Sequence, residues 1–187
     1  DPARGEELSR ALCDLNRERQ AIEAEIYTEC QAMAEARPQR HALVLAGEQW
    51  HQGVVGIVAS RLAEKGVRHV RLFDVSHTDV SELVSEAFRC SHLVFASATY
   101  NGGIYTPVET LLLELKAHAL QNRTVALIEN GSWGPAAARL MAKHLEEMKG
   151  MEQIAPPITV KSAVKEEQYQ QLLSLADAIA ADIAAKA

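Results

Sequence analysis

The chain has 187 residues, 48% of them hydrophobic and 24% charged, a composition that suits one soluble globular domain with a substantial core. A formal charge of -6 argues against a nucleic-acid surface spread over the whole domain, and Cys13, Cys30 and Cys90 are odd in number and far apart, which favours free thiols over disulfides or a zinc site. No signal peptide is visible and no apolar run approaches the roughly 18 residues of a membrane span, so a cytoplasmic protein without membrane contact is the expectation.

From Pro2 to about Ala36 the sequence is polar and helical in period. Leu8, Leu12, Leu15, Ile22, Ile26 and Met33 recur at spacings of three, four and seven. A helix of that length makes a rod of roughly 50 Å, longer than a small α/β domain is wide. Residues 1–38 are therefore expected to form a long helix that either docks along the domain or mediates a homodimer, with Pro38 ending it. Residues 39–187 follow as the main domain. Residues 41–47 read as the first apolar strand, 48–52 as a loop and 53–62 as a mostly apolar helix stopped by Gly66. Residues 67–75 alternate like a half-exposed edge strand. Thr78 or Asp79 can cap the next helix, with Glu82 placed for a capping box.

The run Leu93, Val94, Phe95 and Ala96 reads as a strand buried on both faces. It opens into a polar loop over 97–103, which a helix over 108–120 follows. The strand 124–128 repeats the arrangement, running into a second polar loop at 130–134. Pro135 starts the next helix and Gly150 stops it. Residues 158–160 are a short last strand and 165–185 a closing amphipathic helix. Strands alternating with helices call for a parallel sheet covered on both faces. Five strands suggest the order 2-1-3-4-5, with the Leu93 strand in the middle and the Leu43 strand beside both it and the Val70 strand. Ligands in such sheets sit outside the carboxyl ends of the strands, where the two polar loops face one crevice.

Two resemblances meet near Gly66. Residues 66–187 are similar to the flavodoxin-like domain of A-type flavoproteins, also called flavodiiron proteins. The marks are LFDVSHTDVSELVSEAFRCSHLVFASATYNGGI, Pro107 beyond it, and ALIENGSWGPAAARLM. This resemblance implies a flavodoxin-like three-layer sandwich with FMN as ligand. The second flavin loop would be Ser97, Thr99, Tyr100, Asn101 and Gly102, and the third Asn130, Gly131, Ser132, Trp133 and Gly134. Ala98 stands where many members have proline. Residues 1–65 resemble a different family, the RecJ-type exonucleases of the DHH phosphoesterase superfamily, through LNRERQAIEAEI and LVLAGEQWHQGVVGIVASRLAEK. That enzyme's aspartate motifs for manganese and its GGH segment are absent, and nuclease activity does not carry over.

The flavoprotein's Ser/Thr/Gly-rich phosphate turn and its histidine-and-carboxylate diiron motif are also missing from this sequence. In place of the phosphate turn stand Gly47, Glu48, Gln49, Trp50, His51, Gln52 and Gly53. The resemblances together imply an engineered chimera in which a RecJ-like helix-strand-helix piece completes a flavodoxin-like sheet. Trp133 and Tyr100 can stack on a flavin ring, or merely cover the sheet end. Ser97, Thr99 and Asn101 can bond the ribityl chain or cap local turns, and Gly131 and Gly134 suit backbone conformation. His51 has no carboxylate or nucleophile partner in sequence, and no histidine has a metal-ligand spacing. The leading expectation is a scaffold with a partial FMN site, binding flavin weakly or not at all, with no metal and no reaction of its own. A purely structural design without a ligand is the second reading. A single-stranded nucleic-acid-binding remnant is the third, and the acidic charge opposes it.

Overall fold

The computed structural model describes the backbone of residues 41–46 and 52–186 and the side chains of residues 56–186. The expected N-terminal helix with its dimer role, and the loop carrying Trp50 and His51, lie outside the described residues. The elements in order are β1 (His41–Ala46), α1 (Gln52–Glu64), β2 (His69–Asp74), α2 (Val80–Arg89), β3 (His92–Tyr100), β4 (Gly103–Ile104), α3 (Thr106–Ala117), β5 (Arg123–Asn130), α4 (Ala137–Glu146), β6 (Met151–Gln153), β7 (Ile158–Val160) and α5 (Glu166–Ala185).

The sheet order is β2-β1-β3-β5-β6, with β7 also on β5 and β4 on β3. β1 pairs in parallel with β2, Val44 opposite Leu72, and with β3, Val44 opposite Val94. The Leu43 strand thus lies between the Val70 and Leu93 strands, as the alternation of elements requires. Three features depart from the sequence reading. The fifth strand position is split between β6 and β7, both parallel to β5, with Ile154 to Pro157 between them. Residues 97–103 are not a loop: β3 continues to Tyr100 and folds back as an antiparallel hairpin onto Gly103 and Ile104. The helix after Pro135 begins at Ala137, and the helix placed over 108–120 spans Thr106–Ala117.

Two hydrophobic layers enclose the sheet. Leu93 and Phe95 of β3 and Val125 and Leu127 of β5 join the side chains of α2, α3 and α4 in one cluster. Val94, Ala96, Ala126 and Ile128, the alternate residues of the same strands, join α1 and α5 in the other. Period-two alternation in strands covered on both sides explains why these segments read as continuous apolar runs. Each fully buried leucine of this kind stabilises the fold by about 1.5–3 kcal/mol. Burial also pushes the Cys90 thiol up to about 12, so it stays an inert packing group.

Helix ends carry much of the local specification. Asp79 caps α2 by accepting from the Ser81 N–H at 2.8 Å. After α1, Val67 N–H bonds Leu62 O and Gly66 N–H bonds Ala63 O, with Gly66 at φ 80°. The same pair of bonds closes α3, from Leu120 to Leu115 and from Ala119 to Lys116. There, however, an alanine occupies the left-handed position, at φ 55°. Both are Schellman motifs, and only the first has the residue that takes this backbone without a Cβ penalty.

At the amino edge of the sheet, His92 is 2% exposed. Its Nε2 lies 2.8 Å from Asp182 Oδ2 on α5 and its Nδ1 lies 2.9 Å from Ser91 Oγ. Lys186 Nζ completes the cluster, bonding Asp182, Thr124 and Glu152 at 2.9–3.0 Å. This network ties the end of α5 to β3, β5 and β6. Desolvation lowers the His92 pKa below its usual value, outweighing the bond and charge of Asp182, while Lys186 lowers it further.

Two outcomes follow for stability. Ala119→Gly should raise it by about 0.5–1 kcal/mol, visible as a higher urea midpoint with an unchanged slope. Because the folded-state pKa of His92 is depressed, its contribution is fully present above about pH 6.5 and erodes as pH falls through that value. Urea unfolding at pH 8 and pH 5.5 should show a loss that His92→Gln reduces; an identical loss in the variant would refute it.

Candidate functional site

The two polar stretches meet at the carboxyl edge of the sheet because β3 and β5 are neighbours, with Ala98 opposite Asn130. Past the core, the positions facing α3 and α4 switch from apolar to polar. Leu93 and Phe95 give way to Ser97 and Thr99, and Val125 and Leu127 to Glu129. Ser97 is fully buried. Its hydroxyl donates to Ala98 O at 3.0 Å and accepts from the Tyr105 N–H at 3.2 Å, so it fixes the entry to α3. Thr99 Oγ1 accepts from the Ala136 and Ala137 N–H groups at 2.9 and 3.2 Å. Both hydroxyls thus bond backbone N–H groups at the starts of the following helices.

Asn101 and Gly102 form the two-residue tip of the β3–β4 hairpin, with φ of 48° and 75°. Positive φ at both positions is what a type I′ hairpin turn demands, and Asn-Gly is its preferred sequence. The hairpin presents Tyr100 with its side chain 54% exposed.

The second stretch is a loop with a closed neck. Gly131 N–H bonds Val160 O at 3.1 Å, and Ser132 Oγ lies 2.9 Å from Ser162 Oγ. A Cβ on Gly131 would sit 2.9 Å from Pro135 Cα and 3.2 Å from Thr99 Oγ1, so only glycine lets the loop return this closely. Gly134 has nothing near its would-be Cβ and no left-handed φ. Trp133, at the tip, is wholly exposed at 101%. Asn130 ends β5 and is half-buried.

Residues absent from the expected site complete it. Glu129, 6% exposed, accepts from the Ala138 N–H at 2.9 Å and from Thr159 Oγ1 at 2.8 Å. Three successive N–H groups at the start of α4 are therefore bonded by Thr99 and Glu129. That helix end, often an anion site, is already occupied by the protein's own carboxylate. A buried glutamate closing an apolar strand just before Asn-Gly was the signal available in the sequence.

No family model matches the chain. Among curated proteins it is similar to the rubredoxin-oxygen oxidoreductase of Megalodesulfovibrio gigas, 25% identical over 155 residues. The match takes in 82% of this chain but only 38% of that protein. A solved rubredoxin oxygen:oxidoreductase from Desulfovibrio gigas superposes with a TM-score of 0.74 at 24% identity, covering 86% of this chain and 39% of that one. The Flv1 flavodiiron core of Synechocystis sp. PCC6803 gives 0.72 at 17% identity, over 91% and 41%. An archaeal flavodoxin gives 0.63 at 19% identity, over 76% of this chain and 98% of the flavodoxin.

The fold is flavodoxin-like. The chain is similar in sequence to part of that rubredoxin-oxygen oxidoreductase and spans about two fifths of its length. Two expectations change. A protein with no reaction of its own is overturned, because the relative is an oxidoreductase. The physical reason is that redox chemistry resides in a cofactor, so the lack of a base, nucleophile or metal constellation in the sequence was no guide. The RecJ-type origin of residues 1–65, and with it the engineered chimera, finds no support. Residues 67–187 make up under two thirds of the chain, so a match over 82% of it crosses the supposed junction near Gly66. Among the described residues no helix is long and apolar enough to cross a membrane.

The neck geometry separates the two glycines. Gly131→Ala should cost about 1–3 kcal/mol of unfolding free energy through forced displacement of Pro135. Gly134→Ala should stay within about 0.5 kcal/mol. Equal losses in thermal or urea unfolding would show that the neck is not closed in solution.

Proposed function

We propose that this chain is the flavin-binding, electron-transferring domain of an oxidoreductase of the flavodiiron type. The flavin ring would sit at the carboxyl edge of the sheet, between the Tyr100 hairpin and the Trp133 loop. The observation that carries this reading is Trp133: an indole in full contact with water, on a loop whose neck is locked by Gly131, Pro135 and Thr99. A large apolar ring left bare on a rigid support fits a planar ligand, and stacking on it adds about 0.5–1.5 kcal/mol beyond the area buried. The homology to an oxidoreductase supports the same choice.

The residues fit a flavin. Tyr100 and Trp133 supply ring faces, while the turn backbone at Asn101 and Gly102 and the loop backbone at Gly131 and Ser132 supply polar groups for the ring edge. Gly134, whose small size the fold does not require, leaves room for close approach. When bound, FMN supplies one- and two-electron transfer. The chain's own part is to hold the ring, cover its faces and exclude water. Among the described residues no group of three or more His, Cys, Asp or Glu is placed to hold a metal ion. The iron that the relatives' names imply therefore has no donor set in them.

The phosphate side rests on the sequence of residues 47–53, where Glu48 and Trp50 stand in place of a Ser/Thr/Gly turn. Charge-assisted hydrogen bonds contribute roughly 1.5–3 kcal/mol each, and a turn without them gives FMN little advantage over riboflavin. Titrating both flavins against the protein, by quenching of flavin fluorescence, should yield affinities within about tenfold of each other. Trp133→Ala should weaken both by about tenfold or more. Absence of any flavin binding, or an affinity untouched by Trp133→Ala, would refute the assignment of the ring site. FMN bound far more tightly than riboflavin would refute the phosphate argument alone.

A further inference from the structure

The buried carboxylate of Glu129 closes a ring of interactions around the Trp133 loop. The loop leaves β5 one residue after Glu129 and returns at Ala136 to Ala138. Glu129 Oε2 accepts from the Ala138 N–H at 2.9 Å, so one side chain joins the beginning of the loop to its end. Oε1 accepts from Thr159 Oγ1 at 2.8 Å, and Thr159 lies directly opposite Glu129 in the β5–β7 register. Thr99 holds the two N–H groups just before Ala138 from the other side, on β3. The loop is thus tied to three strands at once.

We propose that Glu129, with Thr99, is the positioning pair that holds the Trp133 loop in its ligand-accepting pose. A carboxylate suits the task because it offers two acceptor oxygens on one side chain, and its negative charge lies at the positive end of α4. Alanine at 129 would leave the Ala138 N–H and the Thr159 hydroxyl without their partner. The return arm of the loop would then hinge about Pro135. Glutamine keeps the size, accepts from Ala138 with its carbonyl oxygen and donates to Thr159 with its amide, so it should restore the pose without the charge.

The ligand-affinity consequence rests on the flavin reading; the loop-pose consequence does not. The test therefore begins on flavin-free protein, with 15N relaxation of the Ser132, Trp133 and Gly134 backbone amides. In the parent chain their order parameters should be near about 0.8, and in Glu129→Ala and Thr99→Val they should fall below about 0.6. Glu129→Gln should stay close to the parent. The second arm measures riboflavin affinity, expected to weaken by about tenfold in Glu129→Ala and by less than about threefold in Glu129→Gln. Far-UV circular dichroism confirms that each variant is folded. Should Glu129→Ala fail to fold, Thr99→Val decides the first arm. Unchanged order parameters in the folded variant overturn the proposal. Loosened amides in a chain that binds no flavin in any form uphold the clamp and refute the flavin reading instead.

Discussion

The parallel pairing of β3 with β5 is the constraint from which the rest of the molecule follows. Its register runs from His92 opposite Thr124 to Ala98 opposite Asn130. Within it, alternate residues of both strands go to opposite faces, and each face is closed by its own helices. A slip of one residue would exchange Leu93 and Phe95 for Val94 and Ala96. It would also turn Ser97, Thr99 and Glu129 away from the helix starts they bond. Core and site are therefore set by the same register.

The two ends of this strand pair have different physical characters. At the amino edge, His92, Asp182, Thr124, Glu152 and Lys186 satisfy one another and fasten the last helix to the sheet. At the carboxyl edge, buried polar groups bond the starts of the loops and helices, while Tyr100 is half-exposed and Trp133 fully exposed. Stability is concentrated where polar groups are mutually bonded. The large exposed rings, Tyr100 and Trp133, lie at the opposite end of the strand pair. This division agrees with the rule that ligands of open α/β sheets bind beyond the carboxyl ends of the strands.

The shape of that edge is set by long-range bonds rather than by local turn chemistry alone. The hairpin tip at Asn101 and Gly102 is a local solution, since the dipeptide accepts two positive φ values. The Trp133 loop is not. Its neck depends on Gly131 meeting Pro135, and its return arm on acceptors from β3 and β5. The start of α4 carries no cap of its own, because Ala136 has no side chain able to accept. The fold supplies what the local sequence lacks.

The sequence by itself determined the alternation of strands and helices, the order of the sheet and the two aromatic-bearing stretches at its carboxyl edge. Those features follow from short-range signals: apolar runs of strand length, amphipathic periodicity and turn-forming residues between them. The Asn-Gly tip is equally legible as a hairpin signal, and the hairpin forms there. β6 was not legible, because Met151, Glu152 and Gln153 show no apolar alternation and become a strand only by pairing with Arg123 to Val125. Only the tertiary structure decided that Ser97, Thr99 and Glu129 bond the backbone at the starts of α3 and α4. The partners of Thr99 lie 37 and 38 residues away, and Thr159 lies 30 residues from Glu129. No local pattern records which hydroxyl or carboxylate will meet which amide once the strands are in register.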